Sequence, residues 1–180
     1  MADRRYQRDN KPSRSKAIAL SGIFLALTVL VLYAESLVPT GRLSLYALSS
    51  LFVSVIVIEA GIQAGWLFYL GSSLLAFIAV PDKLGLIPYY TFFGLYGLIK
   101  YYTEKAAGRV AEYLMKYAFF NLSLVLTWLL ARAVLLGNLE VKLPLWIVII
   151  GLESAFIIYD LVYTLFIQTY RERIRKVLGL

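Results

Sequence analysis

Apolar runs of membrane-crossing length dominate the chain, and such runs leave few structural options. At 1.5 Å per residue, a helix of about 20 apolar residues crosses a hydrocarbon layer of ~30 Å. Six stretches have this character, at 17–38, 43–58, 62–80, 84–101, 117–136 and 145–167. They make up most of a 180-residue chain that is 61% hydrophobic, with a mean hydropathy of +0.74. A soluble domain is rarely so apolar. The expected architecture is an all-α membrane protein, a six-transmembrane-helix bundle at 17–170 between basic tails at 1–16 and 171–180, in the cytoplasmic membrane.

The joints between runs are short and carry turn chemistry. Pro39-Thr40-Gly41-Arg42 closes the first, and Glu59 to Gly65 is a tight reversal between the second and third. Pro81-Asp82-Lys83 precedes the fourth, in whose first turn Pro88 costs little because the amide hydrogen there has no helical partner. Gly137 to Lys142 links the fifth and sixth, and Pro144 opens the sixth. The first sixteen residues are polar and basic, and no small-residue cleavage site follows. The first run is therefore expected to remain as a membrane helix.

Charge orients the bundle. Of the 18 Lys and Arg residues, six lie in the N-terminal tail, four between the fourth and fifth runs, and four in the C-terminal tail. Only Arg42, Lys83 and Lys142 lie on the opposite side, and Arg132 falls within a run. By the positive-inside rule both termini are cytoplasmic. This distribution also accounts for the net charge of +7 without nucleic acid, since the basic residues flank spans instead of forming a solvated domain.

Several kinds of chemistry are absent. The chain has no Cys and no His, which removes disulfides, thiolate chemistry, the usual zinc sites and histidine acid/base catalysis. It has no phosphate-binding glycine loop with its lysine, no HExxH and no aspartate cluster for Mg²⁺. The reading is a non-enzyme with no cofactor and no metal. Any transport must draw on an ion gradient or on another subunit.

What remains for function is polarity inside apolar spans. Arg132, Glu153 and Asp160 are each flanked by aliphatic residues, and such a group near the bilayer centre costs about 2.5–3.5 kcal/mol unless it faces a partner or a wet cavity. Arg132 lies about four residues, or roughly 6 Å, below the outer end of its span, and Glu153 roughly 13 Å below Pro144. An arginine side chain bridges that difference. Arg132 and Glu153, with Trp128 one turn away, are thus expected to pair in the outer half of the bundle. The pair either lines a ligand pocket or only fixes helix orientation. Proton coupling through Glu153 and Asp160 is a third reading. Glu35, at the outer end of the first span, is expected near the interface where water reaches it. Tyr89, Phe92, Phe93 and Tyr96 form one helical stripe that either packs the core or stacks a flat ligand.

Ala17 and Ser21, then Gly22 and Ala26, are spaced four apart in the first span and permit close helix approach, within the bundle or by a separate subunit. The run from Lys16 to Leu27, KAIALSGIFLAL, and the glycine-marked hairpin Gly61-Ile62-Gln63-Ala64-Gly65 leading to Gly71-Ser72-Ser73 resemble the substrate-binding (S) components of energy-coupling factor transporters. That resemblance implies a small membrane protein that captures a vitamin or similar micronutrient and works with a coupling membrane subunit and two ABC-type ATPases. It implies that Ala17/Ser21 or Gly22/Ala26 take the place of the family's alanine-x-x-x-alanine docking motif, which neither matches strictly. The ligand site would involve Arg132, Glu153, Trp128, Tyr89 and Glu35. Ala34-Glu35-Ser36 and the six basic-ended spans are also similar to the MreD family, whose members are scaffolds of cell-wall elongation with no transported ligand.

A cysteine introduced at Asn138 is expected to react with membrane-impermeant thiol reagents added outside intact cells. Labelling only by reagents that reach the cytoplasm reverses the assigned orientation.

Overall fold

The computed structural model describes residues 14–38, 40–105, 108–135 and 144–174. Arg4, Arg5, Arg8 and Lys11 of the first tail, Pro39, the joint at 137–142, and Arg175 and Lys176 lie outside the described residues. The described residues are helical, with no strand. The helices are α1 (Arg14–Leu37), α2 (Arg42–Ala60), α3 (Ile62–Ala79), α4 (Gly94–Thr103), α5 (Arg109–Leu135) and α6 (Leu145–Thr169). A wide π-helical turn at Tyr89–Phe93 runs directly into α4.

Among the described residues, five helices are long and apolar enough to cross a membrane: α1, α2, α3, α5 and α6. Their outward faces carry exposed Leu, Ile and Val, such as Ile18, Leu67, Ile78, Val110 and Ile158. A single lipid-facing surface absorbs all of these, as in a multi-pass membrane protein. The fourth expected span is the exception. In place of a uniform helix over 84–101, the chain turns until Leu86, winds through the π turn and ends in the 10-residue α4. Hydropathy could not separate the two cases, because a segment wrapped by protein and one facing lipid are both apolar. Tyr89, Tyr96 and Leu98 are fully buried, and Phe92 and Phe93 nearly so.

α2 and α4 form the centre, with α1 and α3 packed on one side and α5 and α6 on the other. Between α2 and α3 the chain reverses at one residue, Gly61, whose φ of +90° is open to glycine and costly for other residues. α2 approaches its neighbours closely through serines that satisfy themselves: Ser50 Oγ donates to Ala47 O at 2.8 Å and Ser54 Oγ to Leu51 O at 2.7 Å. The same Ser50 anchors α6. Its hydroxyl lies 2.6 Å from that of Tyr159, and its carbonyl accepts from Tyr163 Oη at 3.0 Å.

The core is aromatic. Phe92 lies 5.0–6.1 Å, centroid to centroid, from Phe93, Tyr96, Phe119, Phe120, Phe156 and Tyr159, and so joins α5 and α6 to the centre. Phe120 of α5 stacks on Phe156 of α6 at 4.4 Å with 12° between planes. Each contact of this kind adds about 0.5–1.5 kcal/mol beyond burial. The stripe at 89–96 is therefore core packing, one of the two uses expected for it.

Gly97 is where α4 meets this wall most closely: a Cβ there would lie 2.5 Å from Tyr163 Oη. Gly97→Ala is expected to break the Tyr163–Ser50 bond and to destabilise the bundle by about 1–3 kcal/mol, read as a lower thermal unfolding midpoint in detergent. Gly22→Ala, with nothing within 4 Å of the added atom, does not lower the midpoint.

Candidate functional site

Polar groups collect at two ends of the bundle. The first cluster joins α4, α5 and α6. Lys100 Nζ lies 2.7 Å from Asp160 Oδ1, 2.8 Å from Thr164 Oγ1 and 3.2 Å from Glu104 Oε1. Lys116 Nζ lies 2.6 Å from Glu112 Oε1 and 3.2 Å from Asp160 Oδ2. Tyr96 Oη also donates to Asp160. The result is an alternating row, Glu104–Lys100–Asp160–Lys116–Glu112, in which one carboxylate is shared by two buried ammonium groups. Beside it, a cleft of about 290 Å³ opens between α5 and α6, lined by Tyr113, Lys116 and Tyr117 on one side and Phe156, Asp160 and Gln168 on the other.

Lys100 and Lys116 both belonged by sequence to the positively charged joint before the fifth span; in the structure both side chains point inward. The available signal was spacing. Lys100 with Glu104, and Glu112 with Lys116, are each four apart, so each lysine carries an acid on its own helix face. In this arrangement Asp160 is the counter-ion of the two lysines and stands at the wall of the cleft.

The second cluster joins α1, α2 and the turn before the π segment. Arg42 Nη1 lies 3.3 Å from Glu35 Oε1 and 3.2 Å from Asp82 Oδ2. Gly85 N donates to Asp82 Oδ1 at 2.9 Å, and Tyr46 Oη donates to Gly85 O. Lys83 is used differently, capping the carboxyl end of α3 through the carbonyls of Val80, at 2.6 Å, and Phe77. Glu35, expected near the interface within reach of water, is 0% exposed, because the turn at 82–86 folds across the end of α1. Arg42 and Asp82 keep 40% and 31% of their side-chain surface exposed above it.

The expected outer pair does not form. The Arg132 guanidinium rests over the Trp128 ring at 5.2 Å, and both side chains are exposed. Glu153 Oε1 instead accepts from Asn121 Nδ2 at 2.9 Å. The reason is register. Asn121 faces Glu153 and Lys116 faces Asp160, so Glu153 lies eleven residues along α5 from Arg132, about 16 Å at helical rise. An arginine side chain cannot span that. Tyr89 is fully buried, its hydroxyl 2.7 Å from that of Ser72. Of the five candidate ligand residues, Glu35 alone stands in a charged cluster. On α1, Ala17 and Ser21 are half-buried, while Gly22 and Ala26 face outward.

No protein-family model, curated protein or solved structure matches the chain.

Asp160→Asn is expected to be the most damaging single change in the first cluster, costing about 3–5 kcal/mol, since it leaves two buried cations sharing no charge between them. Lys116→Met should cost less, because Lys100 keeps Asp160. Combining Asp160→Leu with Lys100→Met and Lys116→Met should restore most of the loss in a detergent unfolding assay.

Proposed function

We propose that the protein is a membrane-embedded substrate-capture subunit for uptake of a vitamin or similar small micronutrient, working with a separate coupling subunit and ABC-type ATPases. In this reading the bundle has six spans, the short α4 and its π turn forming the fourth, and both termini are cytoplasmic. Removing the inward-pointing Lys100 and Lys116 from the fourteen basic residues on the side of the termini leaves twelve, against three opposite, so the charge asymmetry persists. The Glu35 cluster then lies at the outer end.

Glu35 carries this reading. A fully buried carboxylate beneath a half-exposed Arg42 and Asp82 is costly for a bundle that needs only apolar packing at that end, and it is the arrangement a small polar ligand arriving from outside requires. The outward stripe of Gly22 and Ala26 on α1 lets another membrane helix approach the backbone closely.

A scaffold of the cell-wall elongation type is the second reading. What favours it is the Asp160 cluster, where each lysine has its acids within the chain and the charges need serve only to fix helix positions.

Mass spectrometry of what co-purifies with the tagged protein from gently solubilised membranes of its own host separates the two. Paired ABC-type ATPases with a coupling membrane protein are expected. Wall-elongation proteins without any ATPase would replace capture by the scaffold. In the capture case, Glu35→Gln should lower the amount of small molecule retained by the purified protein at least tenfold, while Arg132→Ala retains it.

A further inference from the structure

Outside the Asp160 cluster, one arrangement among the described residues calls for an explanation: the space over the α-carbon of Gly85. Glu35 from the end of α1 reaches it from one side and Asp82 from the turn reaches it from the other. A Cβ on Gly85 would lie 2.8 Å from Asp82 Oδ2 and 3.1 Å from Glu35 Oε2, so two carboxylate oxygens flank the one place where a side chain is missing. Glu35 is 0% exposed, and among the described residues neither of its oxygens accepts a hydrogen bond; Oε1 has the Arg42 ion pair, and Oε2 has no cation. A buried oxygen in that state needs a partner.

The neighbouring cations do not supply one. Arg42 Nη1 is taken up by Glu35 Oε1 at 3.3 Å and Asp82 Oδ2 at 3.2 Å. Lys83 Nζ is held by the α3 carbonyls. Tyr46 Oη, although within reach of the Glu35 carboxylate, donates its one proton to Gly85 O, and Gly85 N donates to Asp82 Oδ1. Two acids and one arginine leave one negative charge at a site that is buried on the side of Glu35 and open on the side of Arg42 and Asp82. A single positive charge balances it. A divalent ion would exceed it, and an anion would meet two carboxylates at close range.

We propose that Glu35 Oε2 and Asp82 Oδ2 together bind a monovalent cation over Gly85, either an alkali metal ion or the primary ammonium group of the captured molecule. The ammonium source rests on the capture reading above; the metal-ion source does not. Gly85 is required because any side chain would fill the position, and Arg42 sets the charge count at one.

The test uses the purified full chain in detergent at constant ionic strength, with NaCl, KCl or ethylammonium chloride replacing choline chloride. A saturable rise in the thermal unfolding midpoint is expected. Saturation by sodium or potassium identifies a metal ion, and saturation by ethylammonium alone identifies an ammonium group. In Glu35→Gln and Gly85→Ala the half-saturating concentration should rise at least tenfold, whereas Arg132→Gln, whose guanidinium rests on Trp128, keeps the wild-type value. No saturable rise with any of the three cations overturns the proposal, as does an identical response in wild type and Glu35→Gln. Should both variants fail to fold, sodium-23 NMR of the wild type decides. Line broadening displaced by potassium or ethylammonium supports the site, and its absence together with no ethylammonium stabilisation sinks it. Cation binding without co-purifying ATPases would keep this site and remove the capture reading.

Discussion

Asp160 is the single negative charge that lets two lysines lie inside an apolar bundle. An ammonium group removed from water costs several kcal/mol, and the attraction of one carboxylate offsets this only when geometry and extra hydrogen bonds are good. Both conditions hold here. Thr164 and Tyr96 complete the coordination, and Glu104 and Glu112 bring a second acid to each lysine. Because Lys100, Lys116 and Asp160 come from three different helices, this interaction fixes how α4, α5 and α6 meet. The aromatic stack of Phe92, Phe120 and Phe156 then fills the space that the ion row holds open.

The two halves of the molecule are held together by different means. On the side of α1 to α3, glycine and serine let backbones come close, as at Gly65, where a Cβ would meet Val57 at 2.5 Å. On the side of α5 and α6, contact is made by long side chains: stacked rings, the lysine–aspartate pair and the Asn121–Glu153 bond. A cleft survives between α5 and α6 because rings and lysines keep the helices apart. Between α2 and α3 the reversal at Gly61 leaves the chain no slack.

Much of the fold was legible because lipid imposes a simple rule on length and polarity. The five long helices begin and end within a few residues of the apolar runs, and Gly41 and Gly61 mark their turns. α5 is the widest departure, starting at Arg109 instead of 117, because charged residues with partners extend a helix beyond its apolar stretch. The candidate site was less legible. Hydropathy gives depth along one helix but not the register between two, so Arg132 and Glu153 looked adjacent when Asn121 is the actual neighbour of Glu153. It likewise assigned Lys100 and Lys116 to a joint, since a lysine at the edge of a run looks alike whether it points into water or into protein. Glu35 was found as a residue of interest, but the turn that buries it could not be read from its own flanks.

The order in which the charged row is made also bears on how the chain is inserted into a membrane. Lys100 leaves the ribosome sixty residues before Asp160. During that interval Glu104, one turn along the same helix, is a counter-charge already at hand, and Lys116 has Glu112 in the same relation. Each lysine thus travels as a locally neutral pair that an inserting segment can carry at reduced cost. When α6 arrives, Asp160 joins two units that are already balanced, and the row across α4, α5 and α6 is complete.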